Sequence, residues 1–290
     1  MGSIDYTLDY DRVRAHRRVA AEHEYDVARV QLYGVGVGLG FEHQNERQLA
    51  FLRDDSPEVL PTFATVAAWD VQFLLELGID WSKLIHASQS VDIITPLPSA
   101  ARLTADVSIE AAYDKPDRNS TIFVVKTELR ACDSGTALAV LRSVSLARDF
   151  RVAGAPVGKP TRLASPPGRE PDITVTLPTS TQVALVYRLL GGRSLIHFDP
   201  VVAKAQGFDG PIMHGLSAFG HACHATLRGV CDYDVSRMQG FAADFSTPIY
   251  PGETLETRLW KTAAGVHFET YALPRDVKVL ANGFAPISPR

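Results

Sequence analysis

The sequence predicts an α+β protein built from two similar halves, and three observations predict it. Residues 101–112, 120–132 and 136–149 read as three strands joined by the turns YDKPDRN and DSG. Residues 213–230 (MHGLSAFGHACHATLRGV) read as one long, mostly apolar helix, followed by strands near 237–250, 253–262, 266–273 and 278–287. Between these stretches, residues 151–172 hold five prolines and three glycines, which leaves little for a core and reads as a surface linker. Each half thus offers helical material followed by strands, the pattern of two α+β layers. The expected division is a first unit over 1–150, a linker over 151–172 and a second unit over 173–290.

In chain order, residues 1–25 are charged and are expected to be mobile at the start. Residues 25–40 (YDVARVQLYGVGVGLG) carry alternate glycines at 34, 36, 38 and 40, superficially like a nucleotide loop. A dinucleotide fingerprint needs a different glycine spacing, between a strand and a helix, and the alternation fits that context poorly. Residues 69–79 show helical apolar spacing, and 84–98 read as a strand ending at prolines. Residues 182–190 (QVALVYRLL) are apolar and β-prone, and read as a strand running into Gly191-Gly192, where unusual backbone angles are permitted. Asp199-Pro200 makes a helix start, with a capping carboxylate and a proline at the first helical position. Gly207 ends that helix. The helix from Met213 carries Gly215, Ser217, Ala218, Gly220 and Ala222, which let a backbone or a ligand approach closely. Being apolar almost all round, it is expected to be wrapped by a sheet.

Composition excludes several functions. The 290 residues suit two domains of about 145, and 46% apolar with 21% charged residues describes an ordinary globule with an ample core. A net charge of −4 supplies neither a field for nucleic acid nor a polybasic membrane patch. No run approaches the ~18 apolar residues of a membrane span, and the start lacks the apolar core of a signal peptide. The end, Ile-Ser-Pro-Arg, is not a peroxisomal address. Cys132, Cys223 and Cys231 are an odd set without paired zinc spacing, so reduced thiols and a cytoplasmic location are expected. His214, His221 and His224 fall near one helical face, but zinc needs further ligands and an organised surround. They are expected to be hydrogen-bonded core or pocket groups, with no metal and no cofactor.

The order of pieces from Tyr187 to Leu216 resembles the hydratase 2 motif of the MaoC-like, hot-dog-fold (R)-specific enoyl-CoA hydratases. Tyr187, Arg188, Leu189, Gly191, His197, Asp199 and Pro200 fall on the family pattern, as do Pro211, Ile212, His214, Gly215 and Leu216. The stretches LPTFATV, LIHASQSVDI and TPIYPGETL, with Asn282-Gly283, extend the likeness over about residues 25–287. Three positions depart: Gly192 stands at the family's catalytic aspartate, Ser194 at its asparagine and Leu195 at the following proline. The resemblance implies a double hot-dog fold, each unit a long central helix wrapped by an antiparallel sheet, and association as a homodimer.

The resemblance also implies a hydro-lyase acting on an enoyl or 3-hydroxyacyl thioester of CoA or an acyl carrier. Syn addition of water needs a base for the water, an acid for C2 and stabilisation of the thioester oxygen as enolate character develops. Carried over, His197 is the retained base or acid, and the N–H at Gly215, where a helix begins, is the oxyanion donor. Gly192 cannot supply the acid. Asp244, where relatives carry arginine, is a candidate replacement, whereas Asp199 reads as a helix cap. Gly192, Ser194, His214, Tyr187, Arg193 and His86 are the candidate substrate-contacting residues, with Gln89 near His86. Arg188, Arg193 and Lys204 are a candidate rim for CoA phosphates. Glycine at 192 would widen the pocket where the water-activating pair stood, which suits a second reading: a dehydratase, isomerase or cyclase for a bulky small-molecule intermediate. A non-catalytic partner subunit is the third. A basic rim points to the first reading, a wide apolar groove to the second and a filled pocket to the third.

Overall fold

The computed structural model describes residues 8–69, 72–159 and 162–289. Residues 1–7 of the charged start, 70–71 within the expected helix at 69–79, 160–161 in the Pro/Gly-rich stretch and residue 290 lie outside the described residues. Ten strands follow in chain order: β1 (Arg17–Tyr25), β2 (Leu84–Ile93), β3 (Ala101–Lys115), β4 (Ser120–Ala131), β5 (Ala137–Arg148), β6 (Ile173–Pro178), β7 (Gly240–Phe245), β8 (Thr254–Thr262), β9 (Gly265–Leu273) and β10 (Val277–Ala285). They pair into one sheet in the order β1-β3-β4-β5-β2-β7-β10-β9-β8-β6, antiparallel throughout. The two halves meet at β2 and β7, where Ser88 lies opposite Asp244 and Asp92 opposite Gly240. Alternation drives the pairing. In β3, Leu103, Ala105, Val107 and Ile109 are buried on one face, while Thr104, Asp106 and Ser108 on the other are not.

In the second half the sheet wraps the helix Gly215–Thr226, every residue of which after Gly215 is buried. That helix packs on β6, β7, β8 and β10. Its outer side is covered by a first-half helix, Val27–Gly36: Ser217 Oγ donates to the Gly36 carbonyl at 3.0 Å, and His224 Nδ1 lies 3.2 Å from the Val37 carbonyl. The first half differs. The short turns Pro61–Phe63, Ala64–Ala67 and Gln72–Leu75 stand there in place of a long helix, beside a cavity. The fold is the double hot-dog that the resemblance implied, with this one difference in how the first unit is filled.

Several expectations are corrected. Residues 182–190 do not form a strand; Val183–Arg188 is helical. Its buried residues Val183, Ala184, Tyr187 and Leu190 recur with helical spacing, while Leu185 and Leu189 face outward at 47% and 68% exposure. The valines and the tyrosine suggested a strand, but the packing of this segment on Val27–Gly36 decides. Arg29 Nη2 secures that contact by donating to the carbonyls of Leu190 (2.7 Å) and Val66 (3.0 Å). Residues 17–25, expected to be mobile, are the edge strand β1. The opening strand of the second half is β6. The helix begun at Gly215 stops at Thr226 and passes through a π-turn to Cys231, where Asp232 turns left-handed.

Gly220 shows how closely the two helices approach. A Cβ there would stand 2.4 Å from Val37 Cγ1 and 2.7 Å from the Tyr33 hydroxyl, both buried. Gly220→Ala is therefore expected to destabilise the protein by about 1–3 kcal/mol through overpacking, read as a lowered midpoint of denaturant unfolding.

Candidate active site

A cavity of about 1090 Å³ crosses the seam between the halves. Lys83 precedes β2, Arg118 precedes β4 and Arg148 ends β5, so strand pairing gathers three cations on one edge of the sheet. With Trp81 and Arg193 they border the cavity. Farther along the same sheet face, Val107, Leu129 and Leu141, with Phe73 and Leu74 above them, make an apolar end.

His197 ends the 3-10 turn Leu195–His197, between the Gly191-Gly192 turn and the helix Pro200–Ala205. Asp199 caps that helix, accepting from Val201 N–H at 2.8 Å, as its position in the sequence suggested. His197 Nδ1 lies 2.8 Å from the Ile212 carbonyl. A carbonyl only accepts, so the proton sits on Nδ1 and Nε2 is left bare and basic. Burial pushes the ring down to about 4, against the Ile212 bond, so it is neutral at pH 7.

His214 stacks on His197 with ring centroids 3.7 Å apart and planes 25° apart. Its Nε2 donates to the Gly192 carbonyl at 3.2 Å, while its Nδ1 is buried without a partner. Burial first, and then the neighbouring His197, push it down to about 3. A Cβ on Gly192 would meet His214 Nε2 at 2.8 Å and Cδ2 at 2.9 Å. The expectation that glycine widens the pocket at 192 is thus corrected: an imidazole occupies the space.

His214 is also the residue before the helix Gly215–Thr226, and it supplies no side-chain cap. The N–H groups of Gly215 and Leu216 therefore have no acceptor within the helix, at its positive end, and both residues border the cavity. Glycine suits 215 because a Cβ would press the Phe245 ring at 3.2 Å. Phe245 in turn lies against His86, with ring centroids 4.8 Å apart.

The structure thus brings Gly192, Arg193, Ser194, His197, His214, Gly215 and His86 to one cavity. It leaves others out. Asp244 alternates with Phe245 on β7, so it turns to the opposite face and accepts from Asn282 Nδ2 at 2.8 Å. Tyr187 is fully buried behind His214, ring centroids 5.2 Å apart, and is a core residue. Arg188 lies over the Phe198 ring, and Lys204 does not border the cavity. His221 and His224 point their Nδ1 atoms at the carbonyls of Ser217 and Val37. Among the described residues, no three His, Cys, Asp or Glu side chains are grouped to hold a metal. The sole carboxylate among the described lining residues is Asp149, paired with Lys83 at 3.1 Å. Sequence reasoning missed Lys83, Arg118 and Arg148, because only strand pairing brings these separate strand ends together.

Comparison with known proteins agrees with this architecture. Residues 23–148 match the MFE-2 hydratase 2 N-terminal domain, and residues 162–282 the MaoC like domain. Enoyl-CoA hydratase ChsH3 of Mycobacterium tuberculosis is 34% identical over 95% of this chain and 97% of its own. Mouse peroxisomal multifunctional enzyme type 2 is 29% identical over 94% of this chain, which spans 38% of that enzyme. The crystal structure of a MaoC-like dehydratase from Phytophthora capsici superposes with a TM-score of 0.85 at 27% identity, covering 98% of this chain and all of the other. With its two family domains in this order and its likeness to a hydratase spanning nearly its whole length, the chain belongs to the MaoC-like, double-hot-dog enoyl-CoA hydratase 2 family.

Proposed function

We propose that this protein is a hydro-lyase that adds water to, or removes it from, an enoyl or 3-hydroxyacyl thioester, with His197 as its single acid–base group. The observation that carries this reading is the bare Nε2 of His197 on a cavity that also borders the free N–H groups at Gly215. In the hydration direction, Nε2 takes a proton from water and the hydroxide oxygen bonds to C3. The C2–C3 double-bond electrons move toward C1, and the thioester oxygen, now enolate-like, is held by the N–H groups at the helix start. The imidazolium then returns its proton to C2 on the same face, which regenerates neutral His197 and makes the addition syn. Dehydration is the reverse. One histidine serving both transfers accommodates glycine at 192, since no second carboxylate is called upon.

Two features support a CoA-type thioester with a bulky acyl group. Arg118, Arg148 and Arg193 are cations suited to phosphates. The volume is at the upper end for small-molecule sites, so the acyl part has far more room than a short chain needs. That volume also gives weight to the second reading, a dehydratase or isomerase for a bulky intermediate, and it is unlike the filled pocket expected of a non-catalytic subunit. We extend the proposal to a homodimer, on the family likeness alone; sedimentation of the purified chain tests it.

His197→Ala is expected to lower kcat/KM for 2-octenoyl-CoA hydration by about 10²–10⁴; wild-type turnover surviving the substitution would sink the one-histidine mechanism. Because the base works neutral and its pKa lies at about 4, kcat/KM should stay flat through neutral pH and fall only as pH drops toward 4. An acid limb near the ordinary histidine value of ~6.5 would contradict that assignment. Gly192→Asp, which restores the family aspartate, is expected to push His214 off its stack and lower both stability and turnover; increased hydration would show the opposite.

A further inference from the structure

Between its cationic rim and its apolar end, the first-half wall of the cavity carries a polar belt. His86 and Gln89 of β2, Ser143 and Ser145 of β5, and Thr127 of β4 all border the cavity. They lie side by side: His86 is opposite Ser145, Gln89 opposite Ser143, and Thr127 opposite Leu141 on the next strand. His86 Nε2 and Ser143 Oγ are 3.1 Å apart, and Gln89 Nε2 donates to the Ser90 carbonyl at 2.9 Å. Ser145 and Thr127 have no side-chain hydrogen bond among the described residues. The belt is separated from the helix start by one aromatic ring, since Phe245 touches His86 on one side and closes on Gly215 on the other.

We propose that this belt recognises an uncharged oxygen on the acyl group, so that the substrate is a thioester bearing a hydroxyl or carbonyl several carbons beyond C3 rather than a plain hydrocarbon chain. This rests on the thioester reading above. A hydrocarbon laid along the wall leaves the Ser145 and Thr127 hydroxyls without a partner and offers nothing to the spare donors and acceptors of His86, Gln89 and Ser143, which weakens binding. An oxygenated group restores them. Serine hydroxyls donate and accept, and a neutral imidazole can exchange its tautomer, so the belt suits either a hydroxyl or a carbonyl. It holds no charged side chain, and burial pushes His86 down to about 4, so a carboxylate finds no countercharge there.

Calorimetric titration of the full-length protein with octanoyl-CoA, its 6-, 7- and 8-hydroxy and 6- and 7-oxo analogues, and the ω-carboxy analogue tests this independently of turnover. At least one hydroxy or oxo analogue should bind about tenfold or more tighter than octanoyl-CoA. Ser143→Ala and Thr127→Val, checked for native circular dichroism, should each shrink that ratio. If octanoyl-CoA binds as tightly as every oxygenated analogue, the belt is a hydrated wall and the inference fails, while the lyase reading stands on 2-octenoyl-CoA turnover. Preference for the ω-carboxy analogue overturns the uncharged assignment. If no thioester binds, the lyase reading falls and this inference with it.

Discussion

The site depends on a reciprocal clasp between the 3-10 turn at Leu195–His197 and the segment that leads into the central helix. Ile212 N–H donates to the Ile196 carbonyl at 3.1 Å, and His197 Nδ1–H donates back to the Ile212 carbonyl at 2.8 Å. One residue on, Met213 N–H donates to the Ile249 carbonyl at 2.7 Å, which ties the same segment to the loop after β7. Two consecutive residues, Ile212 and Met213, therefore set the histidine's tautomer, its distance from the helix start and the direction of that helix. Without the clasp, His197 would be free to turn and to carry its proton on either nitrogen. His197 and Gly215 come from segments 18 residues apart in sequence, and this short stretch of backbone makes them one unit.

Much of this was legible in the sequence, for identifiable reasons. Strands β3, β4 and β5 were readable because they alternate cleanly and end at recognisable turns. The central helix was readable because small and apolar residues fill all its faces. His197 and Gly215 came from a likeness to a family motif rather than from periodicity. The helix at Val183–Arg188 was hidden because its residues favour strands locally, and only burial against the helix Val27–Gly36 decides its form. Asp244 misled for a simpler reason: a one-residue step along a strand reverses the face, and nothing in the sequence alone says which face meets the cavity.

The two units share an architecture and divide the labour unequally. The second holds a helix in its sheet, and the start of that helix borders the cavity. In the first, part of the sheet face lines the cavity, so it becomes a wall that a ligand can touch. Gly192 belongs to the same trade. With no side chain at 192, His214 approaches the backbone there and stacks on His197.

The seam between β2 and β7 has a biosynthetic consequence. His86 and Phe245 meet across it, and the cavity is lined from both sides, with His86 and Gln89 on one and His197 and His214 on the other. A nascent chain holds no usable cavity until the C-terminal half has emerged and its strand has zipped onto a partner made about 150 residues earlier.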